Sequence, residues 1–132
     1  MSVFGIGKLA KLTNCKIPTI RYYEEIAILP EAGRSEGNQR RYDDTHLQRL
    51  IFIRHCRALG FNLDEVRQLI HLQTCTDNDP HEAHQIAEKH LKDVLLKIQQ
   101  LQALADELQS IVNSCNSDSA HHCNILSVLN KP

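Results

Sequence analysis

Seven apolar residues, Leu91, Val94, Ile98, Leu101, Ala105, Leu108 and Val112, follow one another at alternating intervals of three and four. That is the seam of a heptad repeat, and it predicts one continuous helix over about His81–Asn113. At about 1.5 Å per residue such a helix is roughly 50 Å long. Residues 1–75 form too small a domain to cover it. The seam therefore predicts pairing with a second copy of the chain, a homodimer. The alternative is a long helix folded back over its own domain.

The segment before the seam is patterned as short helices. Phe4, Ile6, Leu9 and Ala10 predict a first helix that ends near Thr13-Asn14. Pro18 opens a second, at a position where its missing N–H costs little. Ile17, Ile20 and Ile26 give that helix its apolar side. Two helices separated by three or four residues suit a helix-turn-helix. Residues 30–42 are rich in Pro, Gly, Ser, Glu and Arg, with a turn signal at Gly37-Asn38, and predict a hairpin wing. Asp43-Asp44-Thr45 supplies the cap of a third helix, which Leu47, Leu50, Ile51, Ile53 and residues 54–59 continue to Gly60. Asn62 followed by Glu65 is a capping box for a fourth, whose core side is Leu63, Val66, Leu69, Ile70 and Leu72.

Charge is distributed unevenly along the 132 residues. The net formal charge is −1. Residues 1–60 hold ten Lys/Arg against six Asp/Glu, a surplus of four positive charges; residues 61–132 hold five against ten, a deficit of five. A basic front half on a near-neutral chain is the footprint of a protein that meets phosphate with that half alone. The candidate DNA-binding residues are Thr19, Arg21, Tyr22 and Tyr23 on the second helix, and Arg34, Arg40, Arg41 and Tyr42 in the wing. A helix starting with hydroxyls and arginine enters a groove, and a basic loop beside it holds the neighbouring phosphates. Glu24 and Glu25 are expected to orient arginines or to face a helix start rather than phosphate. The bland reading puts Tyr22 and Tyr23 partly in the core and the arginines on a solvated surface.

The five cysteines divide into two groups. Cys15 and Cys56 fall on predicted core positions, where a thiol acts as a small apolar group. Cys115 and Cys123 lie past the long helix at a C-x7-C spacing, with His121 and His122 between them; Cys75, His81 and His84 lie at the other end of that helix. Thiolates with imidazoles make a donor set for a transition metal ion. In an antiparallel pair the start of one helix lies beside the end of the other, so all seven become candidate ligands of a shared site. The bland reading is two buried thiols and a polar loop. His46, His55, His71 and His90 are expected to be surface or helix-packing residues. No apolar run approaches 18 residues and no signal peptide is evident, which predicts a cytoplasmic protein with no membrane partner. No nucleophile–base pair or phosphate loop points to an enzyme.

The runs TIRYYEE, GRS, NQRRY and HLQRLIFIRHCRALGFNLDEVRQLI, then a long helix and a cysteine loop ending CNIL, resemble the MerR family of bacterial metal-responsive transcription regulators. The resemblance spans nearly the whole chain. It implies a mainly α protein: a winged helix-turn-helix DNA-binding domain over 1–75, a dimerisation helix over 80–113 forming an antiparallel coiled coil, and a C-terminal metal-binding loop and short helix over 114–132. It further implies a homodimer on a promoter palindrome, bound with and without inducer. Metal then bends and untwists DNA whose spacer is too long for RNA polymerase. The matching DNA positions are Arg21, Tyr23, Arg34, Arg40 and Tyr42. Many zinc-, cadmium- and lead-sensing members of the family carry a cysteine where this chain has Pro80. The nearby histidines favour a divalent ion, zinc or nickel first, with cadmium, lead and cobalt open. Cys75 in the site would favour cadmium or lead, and two thiolates alone would suit Cu(I). A regulator of this type with an organic or oxidative signal, and a metal buffer without operator preference, remain as other classes.

Overall fold

The computed structural model describes residues 3–74, 80–114 and 124–132. Its contacts divide into two units, Met1–Ala83 and His84–Pro132.

The first unit is built on three short strands and four helices. Strand β1 (Val3–Phe4) is followed by α1 (Ile6–Thr13), α2 (Ile17–Glu25), β2 (Gly33–Arg34), β3 (Arg40–Asp43), α3 (Asp44–Ala58) and α4 (Leu63–Thr74). The strand order is β1-β3-β2, with both pairings antiparallel. Gly33 pairs with Arg41 and Arg34 with Arg40, which makes the expected wing hairpin. Pairing of Val3 with Asp43 and Phe4 with Tyr42 was not expected, and it moves Phe4 out of the first helix into a strand. Phe4 is buried there, with Lys8 Nζ 5.3 Å from its ring centroid.

Leu9, Ile20, Leu29, Tyr42 and Leu50 form the centre of the core, one or two from each layer. Each buried aliphatic side chain of this size contributes about 1.5–3 kcal/mol. Ile53, Val66, Ile70 and Leu72 extend the core through α3 and α4. Ile51 of α3 is exposed. Cys56 is buried, and burial pushes its thiol pKa up. Cys15 is half-buried against the core cluster, as its position predicts.

Local chemistry sets the helix ends. The Asp43 carboxylate accepts from the N–H groups of Thr45 and His46, while the Asp43 N–H donates to His46 Nδ1. The His46 N–H is the largest cause of a lowered Asp43 pKa. His46 is therefore no surface residue: it is buried, stacks edge-on to Tyr42 and reaches the Glu31 carbonyl through Nε2 at 3.2 Å. At α4 the Asn62 side chain accepts from Glu65 N–H and Glu65 accepts from Asn62 N–H, the reciprocal box read from sequence.

Helices α1, α2 and α3 end in the same turn. In each, a left-handed residue is followed by an N–H that reaches back five residues: Cys15 to Ala10, Ile28 to Tyr23, Phe61 to Cys56. The left-handed residues are Asn14, Ala27 and Gly60, with φ of 54°, 63° and 93°. Asn and Gly tolerate this conformation, but the Cβ of Ala clashes with the following carbonyl. Ala27→Gly is expected to raise stability by about 0.5–1 kcal/mol after the entropy cost of glycine, seen as a higher midpoint in thermal melts. An unchanged or lowered midpoint would show that the turn stores no such strain.

The second unit continues α5 (Pro80–Ser114), whose 35 residues cover the predicted helix, and adds α6 (Asn124–Leu129). Among the seam residues Leu91, Ile98, Leu101, Leu108 and Val112 are each 47–64% exposed. Leu95, Leu96 and Leu104, outside the strict seam, are also exposed. The described residues of α5 thus carry a long exposed apolar row.

Candidate nucleic-acid interface

Helix α2 is separated from α1 by Asn14, Cys15 and Lys16, and it carries the expected recognition residues. Pro18 lies in its first turn. Ile20 points into the core, which turns Arg21 and Tyr22 outward; Tyr22 is 47% exposed. Thr19 and Tyr23 are half-buried, and Tyr23 packs against the core cluster. The two tyrosine rings sit 6.2 Å apart. The reading that kept both tyrosines partly in the core thus holds for Tyr23.

The wing places Arg34, Arg40 and Arg41 on exposed strand positions. Arg34 Nη1 donates to the Asn38 carbonyl at 3.3 Å across the turn, and Asn38 itself is left-handed at φ 62°. Two grooves lie between the wing and the helices. One, of about 470 Å³, is lined by Arg21, Glu24, Glu25, Glu31, Ala32, Arg34 and Arg40. The other includes Arg21, Arg34, Arg40 and Arg41 with Gly5, Ile6, Asn38 and Gln39. Arg21, Arg34 and Arg40 line both. Three arginines, one from α2 and two from paired wing strands, thus line the surface where the helix meets the wing, with Glu24, Glu25 and Glu31 beside them in the first groove. That suits phosphate, whose oxygens accept from the fork of a guanidinium.

Tyr42 does not belong to this surface. It was expected among the DNA-binding residues, but it is fully buried in the core. Its hydroxyl donates to Glu24 Oε1 at 2.5 Å. Burial, and then the bond to Glu24, push its pKa far above the usual tyrosine value. The strand β3 runs from the solvated wing into the core, and burial changes sharply along it, from exposed Arg40 and Arg41 to fully buried Tyr42. Glu24 is corrected with it. Among the described residues its carboxylate accepts from the Tyr42 hydroxyl and, at 3.3 Å, from the Ala32 N–H. It pins both sides of the wing's base to the recognition helix.

Of the expected metal ligands, His81 and His84 lie exposed in the first turns of α5, and His84 Nε2 is 3.6 Å from Glu88 Oε2. Cys75, Cys115, His121, His122 and Cys123 lie outside the described residues. Among the described residues no three of His, Cys, Asp and Glu come together as a metal site, and no helix is long and apolar enough to cross a membrane.

Residues 4–73 match the model of the MerR HTH family regulatory proteins, and residues 47–111 match the model described as MerR, DNA binding. The chain belongs to the MerR family. It is 40% identical to the HTH-type transcriptional regulator ZntR homolog of Haemophilus influenzae, over 78% of this chain and 76% of that one. It is 36% identical to the HTH-type transcriptional regulator ZntR of Escherichia coli K12, over 96% and 92%. The crystal structure of the transcription regulator PbrR691 from Ralstonia metallidurans CH34, in complex with lead(II), superposes with a TM-score of 0.82 at 42% identity, covering 96% of this chain and 98% of that one. This MerR-family chain is accordingly a DNA-binding transcriptional regulator of the metal-responsive kind, and not an enzyme.

Proposed function

We propose that two copies of this MerR-family chain pair through the α5 seam and bind a promoter palindrome. Each places α2 in a major groove. Arg21 and Tyr22 face the bases and Thr19 lies at the helix start, while Arg34, Arg40 and Arg41 hold phosphates on either side. Tyr23 supports the helix from the core side. The observation that carries this reading is the convergence of Arg21, Arg34 and Arg40 at the junction of helix and wing. Twofold symmetry then spaces the two helices by a whole number of DNA turns.

The signal is a divalent transition-metal ion held by Cys115 and Cys123. His81, His84, His121 and His122 supply nitrogen and Cys75 is a further thiol. Two thiolates with imidazoles fit a borderline ion, zinc or nickel first. The lead(II) in the Ralstonia structure keeps lead and cadmium in the set, and cobalt remains with them. Bound metal changes how the dimer distorts promoter DNA, and RNA polymerase in the cytoplasm responds to that shape.

The DNA half is tested with a duplex selected from a random-sequence pool by the wild-type protein. It should be palindromic and should outcompete unrelated DNA. Arg21→Ala should weaken binding to it by about 1–3 kcal/mol, the worth of a lost base contact, with metal binding unchanged. A pool that yields no preferred duplex would overturn the operator reading. The metal half is tested by competitive titration of the reduced protein with Zn(II), Ni(II) and Cu(I). Preference for Cu(I) would make the histidines bystanders.

A further inference from the structure

The exit of the recognition helix is held from two other helices. Arg67 on α4 donates through Nη2 to the Ile26 carbonyl at 2.8 Å, 41 residues away in sequence. Arg49 on α3 donates through Nη1 to the Ile28 carbonyl at 3.2 Å. The last carbonyls of a helix have no partner within it and carry the negative end of its dipole. At α2 the turn's own N–H groups, from Ile26, Ala27 and Ile28, take the carbonyls of Tyr22, Glu24 and Tyr23. The carbonyl of Ile26, the residue that follows the last of the helix, is taken by Arg67. A guanidinium supplies there both a hydrogen bond and the matching charge.

Neither arginine lines the two grooves between helix and wing. Each donates to a backbone carbonyl at the exit of α2, which carries the left-handed Ala27. We propose that Arg67 is a positioning residue for DNA recognition: it fixes the exit of α2 to α4 and so sets the angle at which Arg21 and Tyr22 meet the bases. It need not touch DNA to do this. The inference rests on the operator reading above.

The test compares wild type, Arg67→Ala, Arg67→Gln and Arg67→Lys. Each is titrated with the duplex selected by the wild-type protein and with an unrelated duplex, over a range of salt, and each is melted. Arg67→Ala is expected to lose about 3–10-fold in affinity for the selected duplex, less than a whole hydrogen bond to a charged group is worth, because the lost bond acts on the helix angle and not on DNA itself. Binding to unrelated DNA and the salt slope stay as in wild type, because no phosphate contact is lost. Arg67→Lys, which retains a charged donor, recovers part of the loss and Arg67→Gln recovers less. A salt slope smaller by about one would make Arg67 a phosphate contact and overturn the proposal. So would a lower melting point with the affinity ratio intact, which marks a purely structural role. If Arg67→Ala does not fold, Arg67→Gln and Arg67→Lys decide by the same ratio. Wild-type protein with no preference between the duplexes would overturn the operator reading and this inference together; a preference that Arg67 variants keep overturns the inference alone.

Discussion

Serine at Cys123, and separately at Cys115, is expected to abolish the transcriptional response to metal while the selected operator is still bound. The hydroxyl of serine stays protonated where a thiolate would coordinate, so the loss in metal affinity should exceed the ~10–100-fold typical of removing a mere supporting hydrogen bond. The grooves that carry Arg21, Arg34 and Arg40 belong to the first unit, and both cysteines lie in the sequence of the second. Metal stoichiometry on the purified variants, and a promoter-driven reporter with and without zinc or nickel, provide the readouts. Variants that bind metal as before but no longer bind DNA would refute this division of labour. The same ligands explain a dependence on acidity: thiols and imidazoles must be deprotonated to bind, so apparent metal affinity should fall as pH is lowered.

Tyr42→Ala should cost the first unit about 3–5 kcal/mol, a large share of the stability of any small domain. The ring is fully buried among Leu9, Ile20, Leu29 and Leu50, and its removal leaves a cavity at the centre of the core. Tyr42→Phe separates the ring from the hydroxyl. It keeps the packing and loses the bond to Glu24, a bond to a charged group worth about 1.5–3 kcal/mol. Urea midpoints should therefore rank wild type, Phe, Ala in falling order. If Tyr42→Phe instead left the midpoint unchanged and weakened operator binding, the hydroxyl would be a DNA contact after all.

Much of this fold can be read from local sequence because its determinants are local. Asp43 with the start of α3, and Asn62 with Glu65, are capping patterns that act within three residues. The seam of α5 repeats often enough to define both its period and its extent. What escaped was set by distance along the chain. Strand β1 has two residues, too few to show any period, and its partner is some forty residues away. Arg67 in the run RQLI reads as an ordinary surface charge, since nothing near it names Ile26 as its acceptor. Tyr42 was misassigned because it follows two exposed arginines, and only the course of β3 into the core separates it from them. For His46 the sequence leaves surface and packing roles open, and burial decides for packing because its second partner, the Glu31 carbonyl, lies 15 residues away. For the metal ligands, composition gave a donor set, and most of that set lies outside the described residues.

The central place of β3 also dictates an order of events at birth. Phe4 emerges from the ribosome early, yet its strand partner Tyr42 is made 38 residues later. At synthesis rates of about 5–20 residues per second, that is a delay of roughly 2–8 s. During it, the helix-turn-helix exists without the strand that covers it, and Leu9 and Ile20 wait for Tyr42 and Leu50. The nascent chain thus carries a half-finished core until the wing and then α3 have been made, and the helix-turn-helix gains its covering residues only from chain that follows it.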